Sequence, residues 1–262
     1  MSNFKAIILG CGGSGAVPNI ANYWGVCDPN NPKNHRTRSS LAILTPGEKC
    51  IIIDTGPDFL HQINRENLPL PDSLLYTHYH ADHIMGIDEL RWVAMRRKEQ
   101  VPIYGSKETL DVLKKRVHYL FESKREDLYP AVLKAHEIDY FKSCQTPLLD
   151  FLPIEMDHES CIATGYRIGD LAYCLDVKRL SDQSLEALKG IKTLIIDCSG
   201  NMGDTNPVHA GVPQILRWQE TIQAERIILS SLTPHMDYEV LNSETPDFIN
   251  AAYDGMKINF II

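Results

Sequence analysis

Residues 78–83 of the chain read His-Tyr-His-Ala-Asp-His and carry four potential metal ligands. Imidazole and carboxylate groups suit Zn²⁺, and also Mn²⁺ or Fe. The segment follows an apolar run, residues 73–77, and side chains alternate along an extended chain, so His78 and His80 point the same way. The turn that follows brings Asp82 and His83 to a second point. The spacing predicts one metal ion on each pair; a polar turn with surface histidines is the alternative that three His and one Asp disfavour.

The rest of the chain supplies the elements that must position this motif. Strand patterns cover residues 4–9, 40–44, 50–54, 73–77, 151–156, 165–168, 171–175, 193–197, 226–230 and 257–262, and helical patterns cover 88–98, 107–121, 181–188 and 212–221. Strands in both halves with helices between them predict an α/β fold of two packed sheets covered by helices, in a single domain spanning residues 1–262. Polar residues end several strands and would gather at one edge: Asp54, His78, His158, Asp176 and Asp197.

Composition restricts the classes of function. The 262 residues are 44% hydrophobic and 23% charged, which is enough for a substantial core. The net charge of −8 argues against a broad basic surface, so we expect no long nucleic acid as a partner. No apolar run has the length of a membrane span. The seven cysteines are scattered and no export signal is evident, so we expect reduced thiols and a cytoplasmic protein.

The metal motif also carries a resemblance to a known family. The segment Thr77–His83 resembles the H-x-H-x-D-H signature of the metallo-β-lactamase superfamily. This resemblance implies an αββα sandwich of two mixed sheets flanked by helices, with the metals at one edge, and it makes Asp54 the buried aspartate that braces the metal loop. Within the superfamily the chain is most similar to the phosphoribosyl cyclic phosphate phosphodiesterases, a branch related to the tRNA 3′-processing endonucleases. The shared segments are the opening glycine-rich turn and residues 77–80, 90–92, 102–105 and 254–256.

The resemblance also implies ligands from the second half of the chain. His158 matches the third histidine of the family and would complete a three-histidine site with His78 and His80. Asp176, at the end of a predicted strand, matches the aspartate that bridges both metals. By itself, each of these residues could equally be a solvated loop histidine or a strand-end aspartate.

The last ligand departs from the family pattern. The branch has a histidine directly after the strand at residues 226–230, where this chain has Ser231. The next histidine is His235, and we expect a loop to bring it to the second metal. If the loop does not, that site keeps only three ligands and binds metal weakly: Asp82, His83 and Asp176.

These residues predict hydrolysis assisted by two divalent ions, Zn²⁺ or Mn²⁺. Two ions with Asp82, Asp176 and a bridging hydroxide leave a charge of about +1, which attracts an anionic phosphate ester. Such ions lower the pKa of water to about 7, so hydroxide is available at neutral pH. Asp82 is thus a ligand and part of the catalytic group. His209 matches the catalytic histidine of the branch and would protonate the leaving group; an uninvolved loop histidine is the alternative.

Substrate contacts are expected from two arginines beside the glycine-rich loop. Arg36 and Arg38 suit phosphate recognition, although a solvated basic turn would have the same sequence pattern. The sequence therefore predicts a phosphodiesterase for a small cyclic ribose or nucleotide phosphate. A hydrolase of another ester, and a non-catalytic metal- or ligand-binding protein resembling the pyrroloquinoline quinone biosynthesis carrier, are the alternatives. A homodimer remains open.

Overall fold

The computed structural model describes residues 3–123, 125, 128–203 and 206–262, which contain fourteen strands, seven α-helices and four short 3₁₀ helices. The strands are β1 (Asn3–Gly10), β2 (Ser40–Leu44), β3 (Cys50–Ile53), β4 (Pro71–Leu75), β5 (Val101–Gly105), β6 (Leu133–Glu137), β7 (Cys144–Gln145), β8 (Asp150–Asp157), β9 (Ile162–Ile168), β10 (Leu171–Cys174), β11 (Thr193–Asp197), β12 (Arg226–Ser230), β13 (Ile249–Ala251) and β14 (Lys257–Ile261). The helices are α1 (Phe59–Arg65), α2 (Ala81–Ile84), α3 (Leu90–Arg97), α4 (Lys107–Arg116), α5 (Asp182–Leu188), α6 (Val212–Ile222) and α7 (Tyr238–Glu244).

The strands form two seven-stranded sheets with matching organisation. The first has the order β14-β1-β2-β3-β4-β5-β6 and the second β13-β12-β11-β10-β9-β8-β7. In each sheet one end is antiparallel and the other parallel: β3 to β6 run parallel in the first, and β10 to β13 in the second. Both sheets are therefore mixed, as the sequence predicts.

Three apolar layers hold the sheets and helices together. A central cluster joins side chains of both sheets, such as Ile8 and Leu41 of the first and Tyr166 and Ile195 of the second. A second cluster packs α5 and α6 on the outer face of the second sheet, and a third packs α1, α3 and α4 on the first. Strands β3 and β11 are buried at every position, which explains their nearly continuous apolar sequence. The αββα sandwich is thus confirmed.

Polar side chains leave the sheets where the parallel strands end. Asp54 and Ser231 directly follow β3 and β12, and Asp176 is the second residue after β10; all three have left-handed backbone conformations, with φ of 64°, 59° and 56°. Such conformations are uncommon outside glycine and concentrate at functional sites. The turns that they make direct the following segments across one edge of the sandwich.

None of the helices among the described residues has the length and apolar character needed to cross a membrane.

Candidate metal centre

Two groups of candidate metal-ligating side chains lie at this edge and share Asp176, which also belongs to a third group with His209 and Asp197. In each group the ligand atoms lie within 4.8 Å of one another. The first group has three histidines and a carboxylate, and the second one histidine and two carboxylates: His78, His80, His158 and Asp176, and then Asp82, His83 and Asp176. The structure thus brings together residues 98 positions apart, from His78 after β4 to Asp176 after β10.

Hydrogen bonds between the two sheets fix the segment that precedes the motif. The Tyr166 hydroxyl in β9 donates to the Tyr76 carbonyl oxygen at 2.7 Å, and the Thr164 amide donates to the Thr77 carbonyl oxygen at 2.8 Å. All four residues are buried. The second sheet therefore sets the position of the first-sheet segment that carries His78.

The metal loop is also packed tightly against the turn after β3. The Thr55 amide donates to the His83 carbonyl oxygen at 2.8 Å, and the Gly86 amide donates to the Thr55 carbonyl oxygen at 2.8 Å. A Cβ added at Gly56 would lie 2.2 Å from the Asp82 carbonyl oxygen. Only glycine fits here, because the two backbone segments touch.

Hydrogen-bond acceptors behind the ligand groups orient two of the histidines. Nδ1 of His83 donates to Oδ2 of Asp54 at 2.7 Å, and Nδ1 of His158 donates to the Val208 carbonyl oxygen at 2.9 Å. With the proton on Nδ1, each ring offers the lone pair of Nε2 to a metal. Asp54 also accepts hydrogen bonds from the amide and hydroxyl of Thr77, so it braces the loop rather than binding metal.

His78 provides a direct test of whether a metal fits. Its Nε2 atom is buried with no hydrogen-bond partner among the described residues and lies 3.4 Å from Oδ2 of Asp176. Burial, followed by the neighbouring imidazole of His83, lowers the pKa of His78 well below its usual value. A neutral, buried imidazole whose Nε2 has no partner and lies beside a carboxylate fits a metal ion, because unpaired buried polar atoms are costly.

The second group favours a positive charge at Nε2 of His83. This atom lies 2.9 Å from Oδ2 of Asp176 and 3.3 Å from Oδ2 of Asp82. Burial alone lowers the pKa of His83, but the carboxylates of Asp176 and Asp54 outweigh it and raise the pKa well above its usual value. A bound cation would satisfy the same carboxylates that here attract a proton.

His209 lies beside this centre and is oriented by a buried carboxylate. Its Nδ1 donates to Oδ2 of Asp197 at 2.7 Å and lies 3.9 Å from Oδ1 of Asp176. Burial disfavours the charged ring, but the hydrogen bond and charge of Asp197 raise the pKa of His209 to about 9. His209 also forms a potential ligand group with these two aspartates. It can therefore serve as a proton donor or as a further ligand.

His235 lies outside both ligand groups. Its ring is exposed and makes an edge contact with Tyr23, with ring centroids 6.4 Å apart. Ser231 instead lies at the centre, where its hydroxyl donates to Oδ1 of Asp176 at 3.4 Å. The structure thus does not bring His235 to the second group, because the chain after β12 turns at Ser231 and carries His235 to the rim of the cleft. Among the described residues, the second group keeps the three protein ligands Asp82, His83 and Asp176.

The two arginines occupy a neighbouring cavity rather than the metal cleft. Arg36 is only 1% exposed, and its guanidinium donates to Oδ1 of Asn34 at 3.0 Å and to the Thr233 carbonyl oxygen at 3.3 Å. Arg38 forms an ion pair with Asp58 at 3.2 Å. Both guanidinium groups hold the loops beside the cleft together, and their role in substrate binding stays a prediction.

The cleft also contains polar residues that the sequence did not single out. Asn206 accepts hydrogen bonds from the amides of Val208 and His209 at 2.9 and 3.0 Å, and thereby fixes the loop that carries His209. The Ser199 hydroxyl bonds to the backbone carbonyl of Ser231. These residues follow no motif, so nothing in the sequence distinguishes them from ordinary loop residues.

Comparison with known proteins agrees with this geometry. The family model described as "Beta-lactamase superfamily domain" matches residues 49–230 of the chain. This chain belongs to the metallo-β-lactamase superfamily. The crystal structure of a new diphosphatase from the PhnP family superposes with a TM-score of 0.87, at 29% identity, over 98% of this chain and 97% of that one. Zn²⁺-bound PqqB from Methylobacterium extorquens has a TM-score of 0.71 at 17% identity, over 97% and 99% of the two chains, and shares the fold.

One curated relative is much longer than the chain. An octanoyltransferase of Porphyromonas gingivalis is 30% identical over 256 residues, which are 97% of this chain and 51% of that protein. The chain thus spans about half the length of this curated relative.

Proposed function

We propose that this metallo-β-lactamase superfamily member is a hydrolase of small phosphate esters, a phosphodiesterase for a cyclic ribose or nucleotide phosphate that uses two divalent ions, Zn²⁺ or Mn²⁺. The observation that carries the proposal is the pair of ligand groups sharing Asp176, with His209 in the same cavity of about 520 Å³. A cavity of this size suits a small molecule. The similarity to a diphosphatase supports phosphoryl chemistry.

The charges of the cleft explain why metal ions are needed. Asp82, Asp176 and Asp197 place three carboxylates around it, and these would repel an anionic phosphate. His78, His80, His158 and Asp176 would hold one ion, and Asp82, His83 and Asp176 the other. When bound, the ions supply positive charge for the phosphoryl oxygens and lower the pKa of water to about 7.

The chain's own proton donor is His209. Its Nδ1 is committed to Asp197, so the proton available for transfer is the one on Nε2. Asp197 is fully buried and also accepts hydrogen bonds from the amides of Val177 and Ser199, at 3.2 and 2.9 Å, which fixes its carboxylate. His209 would donate its Nε2 proton to the leaving alkoxide, and Asp197 would stabilise the charged ring before transfer.

The proposal is tested by turnover of bis(p-nitrophenyl) phosphate in protein loaded with Mn²⁺ or Zn²⁺. We expect turnover that is lost in Asp82→Ala and on chelation. Asp88→Ala is the matched control, because Asp88 lies six residues after Asp82 but is half exposed and interacts at the surface with Arg91 and the Tyr119 hydroxyl. A chain that binds both ions but never turns over a phosphodiester would contradict the proposal and favour the non-catalytic alternative.

His209→Gln separates the two roles of that residue. As a proton donor, His209 supports turnover by a factor of about 10²–10⁴, with metal content unchanged. If elemental analysis shows that an ion is lost with the side chain, His209 is a ligand and the donor must be sought elsewhere.

A second candidate function is hydrolysis of a carboxylic ester, such as a lactone, or of a thioester. It is favoured by the match to half of an octanoyltransferase and by 33% identity over 69 residues to a hydroxyacylglutathione hydrolase of Edwardsiella ictaluri. The same metal-loaded protein assayed on an acylglutathione thioester and on lactones decides between the two classes. Hydrolysis of the thioester without hydrolysis of cyclic phosphates would contradict the leading proposal and favour this second function.

A further inference from the structure

Two aromatic side chains, Tyr23 and His235, stand at the exposed part of the cleft wall. Both line the same cavity as His80, Asp82 and Asp176. The Tyr23 side chain is 52% exposed, and its ring meets that of His235 edge-on, at an interplanar angle of 68°. Since both rings are open to solvent, packing of the core does not account for them.

The backbone holds these two rings in place. Asn19 and Tyr23 exchange backbone hydrogen bonds, with N–O distances of 2.8 and 3.2 Å, and the Val26 amide donates to the Pro234 carbonyl oxygen at 2.9 Å. Gly25 has φ of +60°, and a Cβ there would lie 2.3 Å from the same oxygen. The loop of Tyr23 is therefore packed against the segment before His235, and the backbone that carries both rings is fixed before any ligand binds.

The rim differs in character from the interior of the cleft. The rim carries the Tyr23 ring, which is 52% exposed, and the apolar residues Leu232 and Pro234 line the same cavity. The interior instead carries the carboxylates and imidazoles of the two ligand groups. A ligand matched to this cleft has a charged group at the metal end and a flat, weakly polar group at the rim.

We propose that Tyr23 and His235 form a subsite for the nucleobase of a nucleoside phosphate whose phosphate lies at the metal centre. The base would stack on the exposed face of Tyr23, and the imidazole of His235, which has a donor and an acceptor nitrogen, would bond to the edge of the base. The assignment rests on the proposed function, since it takes the phosphate to bind at the metals. It narrows the substrate class from phosphate esters in general to nucleotides.

The test is calorimetric titration of the metal-loaded protein with AMP and with ribose 5-phosphate, which lacks the base. We expect AMP to bind about 10–100-fold more tightly, which is the range that stacking on one aromatic side chain supports. This preference disappears in Tyr23→Ala and is retained in Tyr23→Phe, and it falls in His235→Ala. Tyr129→Ala is the matched control, since Tyr129 is 69% exposed but lines a different cavity.

The binding assay is independent of turnover, so failure of the subsite and failure of the phosphodiesterase proposal are distinguishable. Equal affinity for the two ligands, or a preference that survives in Tyr23→Ala, overturns the subsite even if phosphodiesters are hydrolysed. A preference for AMP without hydrolysis of any phosphodiester supports the subsite and overturns the activity. If neither AMP nor ribose 5-phosphate binds, the subsite is overturned, and the activity is decided by the turnover assay alone.

Discussion

Replacement of Asp54 by asparagine isolates the role of the buried carboxylate behind the metal loop. Oδ1 of Asp54 accepts from the Thr77 amide at 2.8 Å, and Oδ2 accepts from the Thr77 hydroxyl and from Nδ1 of His83, each at 2.7 Å. An asparagine keeps one acceptor oxygen, which the Thr77 amide requires. Its NH₂ group then faces Nδ1 of His83.

This substitution reverses the direction of the hydrogen bond at His83. To accept from the new NH₂ group, Nδ1 must give up its proton, and the neutral ring then carries the proton on Nε2. Nε2 is the atom that faces Asp82 and Asp176, so the second ligand group loses its imidazole lone pair. Loss of a hydrogen-bond acceptor that orients a metal ligand costs about 10–100-fold in metal affinity, or about 1.4–2.8 kcal/mol.

The assay is titration of chelator-stripped protein with Zn²⁺, followed by elemental analysis of the loaded protein. We expect the wild type to bind two ions and Asp54→Asn to retain the tighter step while the other weakens 10–100-fold. Asp72→Asn serves as the control, since Asp72 forms its hydrogen bonds with Cys50 and Arg97 on the outer side of the first sheet. Unchanged affinity for both ions in a folded Asp54→Asn variant would refute the proposed control of the His83 tautomer.

Three further predictions concern packing and charge around the fold. Gly56→Ala forces a Cβ against the Asp82 carbonyl oxygen, so we expect at least about a tenfold loss of metal affinity in the same Zn²⁺ titration. Tyr166→Phe leaves a buried carbonyl oxygen without its donor and should lower the free energy of unfolding by about 1–2 kcal/mol in urea titrations. Burial alone raises the pKa of Asp72, but the hydrogen bond and charge of Arg97 outweigh it and hold the pKa below its usual value. The stabilisation from Asp72 is therefore full above its unfolded pKa of about 3.9 and is lost as the pH falls through its folded value. The difference in unfolding free energy between wild type and Asp72→Asn, about 0.5–1 kcal/mol at pH 7, should shrink as the pH falls below about 3.9.

Each of these three predictions is contradicted by a specific result. Wild-type metal affinity in Gly56→Ala would show that the loop relaxes at no cost. An unfolding free energy of Tyr166→Phe equal to that of the wild type would show that the hydroxyl does not join the sheets. A difference for Asp72→Asn that stays constant with pH would rule out the charge of Asp72 as its source.

What the sequence determined is local. The metal motif at residues 78–83 can be recognised from its spacing, because adjacent ligands on one short segment need no long-range information. Strands with continuous or alternating apolar residues were predicted closely: β2, β11 and β12 have the predicted bounds. The helix predicted over residues 181–188 is α5, and its N-cap Ser181 accepts a hydrogen bond from the Ser184 amide.

Elements without a strong pattern were not predicted. Helices α1 and α7 and strands β5 and β6 were not assigned from the sequence. Strand β6 (Leu133–Glu137) is only partly buried and alternates imperfectly, and β5 (Val101–Gly105) contains Pro102, which weakens a strand pattern. Their positions follow from pairing with a neighbouring strand, which a local pattern does not contain.

The tertiary structure alone decided which distant residues meet. Sequence reasoning could propose His158 and Asp176 only by resemblance, whereas the folded chain places both within ligand distance of His78. The fold also places two predicted site residues away from the ligand groups. Arg36 is buried beside a neighbouring cavity, and His235 lies at the rim of the cleft. The physical reason is that a turn of one or two residues after a strand redirects the side chains that follow, and the direction of that turn is set by packing between the two sheets.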